Sequence, residues 1–100
     1  MAEVYGPVEQ ARFVWVFVGQ GARLPSAVFS TKEHALAWAA RARVEGVMTR
    51  YPLDESVFDW AISSGVFQPK RAEQSTPTFV QRFTSAHLEH FHVPVEASVG

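Results

Sequence analysis

Four histidines occur in the chain. Three of them, His87, His90 and His92, fall in one stretch near the C-terminus, AHLEHFHV. Imidazole is the commonest side-chain metal ligand, and its charge changes near neutral pH. The stretch could therefore hold a metal, contact a ligand or respond to pH. Spacing narrows those options. In a strand, residues two apart point the same way. His90 and His92 then share a face with Leu88, while His87, Glu89, Phe91 and Val93 take the other. In a helix, His87 and His90 would converge and His92 would turn away. Bringing all three together needs a bulge or turn at His87, or help from a group such as His34. Two imidazoles alone fall short of the three protein ligands of a typical catalytic zinc. The plainer expectation is a half-exposed strand whose polar face carries two imidazoles.

The next group is acidic: Asp54, Glu55 and Asp59. Asp54 and Glu55 suit the start of a helix, where carboxylates cap backbone N–H groups and oppose the dipole. Asp59 lies four residues after Glu55. Like charges at that spacing cost roughly 0.2–0.5 kcal/mol, so an arginine such as Arg50 or Arg82 is expected to answer it. A pair of carboxylates on one helix face is not glycosidase geometry, which requires the pair to flank a sugar.

Other motifs carry less chemistry. GQGARLPS, residues 19–26, has two glycines but no Gly-Lys-Ser/Thr and no helix directly after it, so it is a hairpin turn rather than a P-loop. Ser26, Ser30 and Ser85 lack a nucleophile-elbow context. Trp15, Trp38 and Trp60 fall on apolar patterns expected in a core, and Trp60 facing a groove would make a binding anchor. Arg23 in the turn, and Lys70 and Arg71 in a polar stretch, are surface candidates for binding a partner.

These residues need elements to position them. Phe13–Val18 is wholly apolar and rich in β-branched and aromatic residues, which reads as a central strand buried on both faces. SAVFS, after the turn, is its short hairpin partner. Ser30 with Glu33 three residues on forms a capping box for a helix over TKEHALAWAARARV. Ala35, Trp38, Ala39 and Ala42 make its apolar stripe, and Gly46 its stop. VMTRY is a third strand halted by Pro52, and Asp54 caps a second helix, ESVFDWAIS, ended by Gly65. QPKRAEQSTP is a polar loop. TFVQRFTSA and LEHFHV read as two more strands, although Thr76-Pro77 could instead open a short helix with Phe79, Val80 and Phe83 at helical spacing. The order ββαβαββ gives an α+β fold. Two layers are expected: an antiparallel or mixed sheet of about five strands, with two helices on one face.

Length and composition bound the rest. One hundred residues support one domain. The expected division is a flexible N-terminal arm over 1–10, the domain over 11–94 and a C-terminal tail over 95–100. A hydrophobic fraction of 47% and a charged fraction of 19% are ordinary for a globular chain. The net charge of -1 gives no pull toward nucleic acid or anionic lipid. With no cysteine there is no disulfide and no thiolate chemistry. The first residues lack the pattern of a secretory signal, and no apolar run nears the ~20 residues of a membrane span. A cytoplasmic location is expected.

Taken together, VWVFVGQGARLPSAVFS, HALAWAA, EGVMTRYPLDESVFDWAI, FQPK and FVQRFTSAHLEHFHV resemble a family of small bacterial domains with no established activity. The resemblance spans Phe13 to Val93. Ala27 stands where that pattern has glycine, and Val93 where it has tyrosine. It implies a free-standing domain and carries over no catalytic residue. The expected function is a small non-enzymatic module that binds another protein, immunity-like or accessory, with no cofactor. The alternative is a metal- or small-ligand-binding protein centred on His90 and His92, with His87, Asp59 or His34 nearby. The sequence leaves the oligomeric state open.

Overall fold

The computed structural model describes residues 12–95. The proposed arm over 1–10, and the tail beyond Val95, lie outside the described residues. The elements are β1 (Phe13–Gly19), β2 (Ala27–Phe29), α1 (Lys32–Ala42), β3 (Gly46–Pro52), α2 (Val57–Ser63), a 3-10 turn (Ala72–Ser75), α3 (Pro77–Arg82) and β4 (His90–Val93). The sheet has four strands in the order β2-β1-β3-β4, with every neighbouring pair antiparallel. The α+β class stands. The expected fifth strand does not: Pro77–Arg82 is helical.

The reason is local. Thr76 Oγ1 accepts a hydrogen bond from the Phe79 amide at 3.3 Å and Pro77 sits at the first helical position. That proline needs no N–H and arrives with its φ already helical. The same threonine hydroxyl donates to Glu73 O at 2.9 Å. One side chain thus closes the 3-10 turn and opens α3. The polar loop expected before it contains that turn, with Gln74 Oε1 accepting from the amides of Lys70 and Arg71.

Both expected N-caps shift along the chain. Thr31, not Ser30, caps α1, its Oγ1 accepting from His34 N at 3.1 Å. Glu33 therefore falls one position short of a capping box. Ser56, not Asp54, caps α2, its Oγ accepting from Asp59 N at 2.9 Å. Asp54 instead turns the chain with φ 63. At its other end α1 stops at Arg43, which adopts the left-handed conformation with φ 59 and returns its N–H to Ala39 O. Gly46 is not the stop. It begins β3, opposite Gly19. A Cβ there would lie 2.3 Å from Val18 O and 2.8 Å from Gly19 Cα, so only glycine lets the two strands close at that point.

β1 is interior to the sheet, as its apolar run implies, but its two faces differ. Trp15 and Phe17 are buried, whereas Val14, Val16 and Val18 are half-buried. The buried face meets Met48 from β3, Val93 from β4, and Ala35 and Ala39 from α1. Alanines on the helix bring its axis close to the large residues of the sheet. Phe29 and Trp38 fill the β2 side, with rings 5.4 Å apart and Phe17 set edge-on to Trp38 at 5.2 Å.

Helices α2 and α3 build a second cluster. Phe58, Phe67, Phe79 and Phe83 contact one another in every pairing, at centroid distances from 4.8 to 6.2 Å. Three helices are present among the described residues where two were expected, and of these only α1 contributes to the core cluster beneath the sheet. Among the described residues, no helix is long and apolar enough to cross a membrane.

Candidate functional site

β4 keeps strand alternation. Phe91 and Val93 turn toward the core while His90 and His92 are exposed on the opposite face. The pairing His90↔Thr49 and His92↔Val47 sets both imidazoles beside the half-buried residues of that face. They do not converge on a shared polar centre. His90 Nδ1 lies 2.8 Å from Leu88 O, so the neutral ring carries its proton on Nδ1 and donates it back to the chain. His92 lines a cleft of about 600 Å³ with Gln20, Gly21 and Glu45 from the turns at that end of the sheet. His87 precedes the strand and is exposed, its amide donating to Ser85 Oγ at 3.0 Å. Ser85 is thereby a turn-forming residue. Among the described residues, no group of three or more His, Cys, Asp or Glu side chains is placed to hold a metal ion.

The acidic candidates resolve into turn, helix-start and surface positions. Asp59 is the third residue of α2, where its charge suits the positive end of the helix. Neither Arg50 nor Arg82 answers it among the described ion pairs. Arg50 reaches Glu89 at 3.9 Å and lies over the Phe13 ring at 3.8 Å. Glu89 also meets Lys32 at 3.8 Å, and that ammonium sits 5.2 Å from the Phe91 ring centre. This exposed bridge joins the start of α1 to the residues just before β4.

The surface candidates are scattered. Arg23 is exposed in the β1–β2 turn. Lys70 and Arg71 are exposed beside Val66 and Phe67, with Arg71 paired to Glu73 at 3.3 Å. Trp60 is half-buried on α2. Of the three tryptophans only Trp15 belongs to the buried set.

Another place draws more groups together. A groove of about 370 Å³ runs between the sheet-edge strand β2 and helix α1, lined by Val28, Phe29, Ser30, His34, Ala37, Trp38 and Arg41. Val28 is 60% exposed, and Leu24, in the turn leading to the strand, is 75% exposed. His34 and Arg41 are seven residues apart, two helical turns, so they stand on one face of α1 about 10 Å apart along its axis. Thr31 Oγ1 lies 2.7 Å from His34 Nδ1 while accepting from the His34 amide. Nδ1 is thus engaged by Thr31, and Nε2 is the ring nitrogen left for another partner. The helical spacing of His34 and Arg41 was visible in the sequence. Their position beside an open strand edge was not.

A family model described as "Domain of unknown function (DUF7710)" matches residues 14–98. The chain belongs to that family. The matched span closely follows the Phe13–Val93 stretch on which the resemblance was drawn, and the family supplies no activity to transfer to His92 or to the α1 groove. No curated protein and no solved structure matches the chain.

Proposed function

We propose that this domain is a small non-enzymatic bacterial module, cytoplasmic, that acts by binding another protein, as an immunity-like inhibitor or an accessory subunit. The observation that carries the reading is the edge of the sheet. Val28, on the strand, and Leu24, in the turn before it, are largely exposed there. Large apolar side chains left exposed to water at an open strand edge are the usual makings of an interface. The reading is also supported by the character of the interior, in which no buried residue among those described is polar or charged. Catalytic groups are commonly drawn from titratable side chains partly removed from water.

The test is affinity capture from the native host with the intact chain and with a Leu24→Asp/Val28→Asp double variant, followed by reconstitution with the purified partner. The expected result is a stoichiometric partner whose binding the double variant weakens by about 100-fold, or roughly 2.7 kcal/mol. A folded double variant that retains its partner undiminished would move the interface elsewhere. Capture of no stoichiometric partner would overturn the binding reading.

A further inference from the structure

We propose that the groove between β2 and α1 receives an extended acidic segment of the partner protein, of the pattern acid-x-apolar-x-acid. This rests on the protein-binding reading above and names the chemistry of the partner. Three observations lead to it.

First, β2 ends the sheet among the described residues, since the order is β2-β1-β3-β4. An antiparallel edge strand directs only alternate N–H and C=O groups to its neighbour and leaves the others facing outward. The outer side of Ala27–Phe29 can therefore receive an added strand. The other edge is less suited. β4 carries exposed His90 and His92 and is followed by Pro94, which has no N–H to donate.

Second, a helix lies alongside that edge, and the space between them is lined partly by apolar side chains. Phe29, Ala37 and Trp38 line the α1 side of the groove, while Val28, opposite Val16 in the register, belongs to the other face of the sheet and borders the groove from the strand edge. The indole is fixed from behind by Phe17 and Phe29. Ala37 keeps the helix side low, so the half-buried face of Trp38 can accept one apolar side chain. An extended segment adding to an edge strand gains affinity from the backbone and specificity from pockets for alternate side chains.

Third, the lining is one-sided in charge. The groups in it that can be charged are His34 and Arg41, with no carboxylate among them, in a chain whose net charge is -1. They flank Ala37 and Trp38, one helical turn on each side. In an extended segment, side chains at i, i+2 and i+4 share one face and span about 13 Å. That span matches two basic groups about 10 Å apart on the helix once the reach of an arginine is added. The carboxylate at one end meets the Arg41 guanidinium in a charge-assisted pair. The carboxylate at the other end meets His34 Nε2, the ring nitrogen that Thr31 leaves unengaged.

The test uses the intact chain and a fluorescein-labelled peptide with Glu-Thr-Leu-Thr-Glu at its centre. Controls are the Gln-Thr-Leu-Thr-Gln peptide and an acidic peptide N-methylated at its central residues. Fluorescence anisotropy is expected to show binding of the acidic peptide. Loss should be about tenfold or more with Gln for Glu, with backbone N-methylation, and with Arg41→Ala. Amide shifts in an NMR titration are expected at residues 27–30 and 34–41. Circular dichroism and the thermal midpoint verify that Arg41→Ala, an exposed position, remains folded.

Equal affinity for acidic and neutral peptides, shifts confined to other elements, or an unaffected Arg41→Ala would overturn the groove assignment. So would concentration-dependent dimerisation through β2 that excludes the peptide, because the occupant would then be a second copy. Failure here is separable from failure of the binding reading. A purified partner that binds wild type and Arg41→Ala equally leaves that reading standing and this one refuted.

Discussion

The molecule holds two hydrophobic clusters made in different ways. Beneath the sheet, Trp15, Phe17 and Met48 are presented by a seven-pair antiparallel ladder between β1 and β3, with Ala35 and Ala39 of α1 against them. Each residue is assigned its place by register, because a slip of one position would send every side chain to the other face. In the second cluster, four phenylalanines come from α2, α3, the chain between them and the residue that ends α3. Their helices span only seven and six residues. No ladder aligns them, and only Phe58 is buried. Ring contacts of this kind are worth about 0.5–1.5 kcal/mol each beyond area burial and accept several orientations. The first cluster is specified by backbone pairing and the second by mutual contact of side chains. Damage to the first should be global, and damage to the second local.

The most disruptive test of that contrast is Gly46→Val. The new Cβ would collide with Val18 O and Gly19 Cα, both backbone atoms that cannot step aside without parting β1 from β3. A loss of about 4 kcal/mol or more is expected, read as a collapse of the urea midpoint and of dispersion in the NMR spectrum. An unchanged midpoint would show that the ladder does not need this close approach. Next is Met48→Ala. Met48 is 0% exposed, and truncation should cost about 2–5 kcal/mol with one cooperative transition. Phe79→Ala, in the half-buried cluster, should cost less, about 1–3 kcal/mol. Hydrogen exchange should show its effect concentrated in residues 57–83, with β1 amides still protected. Uniform loss of protection would erase the distinction between the clusters.

Smaller effects sharpen the same comparison. Thr76→Ala removes the hydroxyl that closes the 3-10 turn and caps α3. About 1 kcal/mol is expected, seen as faster amide exchange over residues 72–82 with little change in the global midpoint. Glu89→Gln ends the exposed pairings with Lys32 and Arg50. The cost should stay below about 1 kcal/mol and vanish in high salt. A larger, salt-independent loss would mean that this bridge, rather than the ladder, holds β4 in place.

The strands were the more legible part of this chain. An unbroken apolar run and a period-two alternation are both local signals, so β1, β3 and the parity of His90 and His92 followed from the residues alone. The helix starts were less so. Ser30 and Thr31 are adjacent hydroxyl residues, and either can cap; the choice depends on where the backbone turns. The same ambiguity let Asp54 stand in for Ser56 and left Asp59 unexplained. It is the third residue of a properly capped helix. Residues 77–82 misled because Phe79, Val80 and Phe83 fit both periods, while the decisive signal, threonine before proline, is only two residues long. The α1 groove required the helix to lie beside β2. No spacing within either segment encodes that placement.

The connection between β3 and β4 has a kinetic consequence. β2, β1 and β3 are joined by a hairpin and a single helical crossover, so their pairings form between near neighbours in the chain. β4 can reach β3 only after all of residues 53–89 have been gathered in, and the closing of so long a loop delays contacts that depend on it. The outer edge of β3 should therefore remain bare during folding after the rest of the sheet has formed. Quenched-flow labelling should find that the Arg50 amide, which donates to Glu89 O in the native state, acquires protection later than amides in β1. Simultaneous protection would show instead that the sheet assembles in a single step.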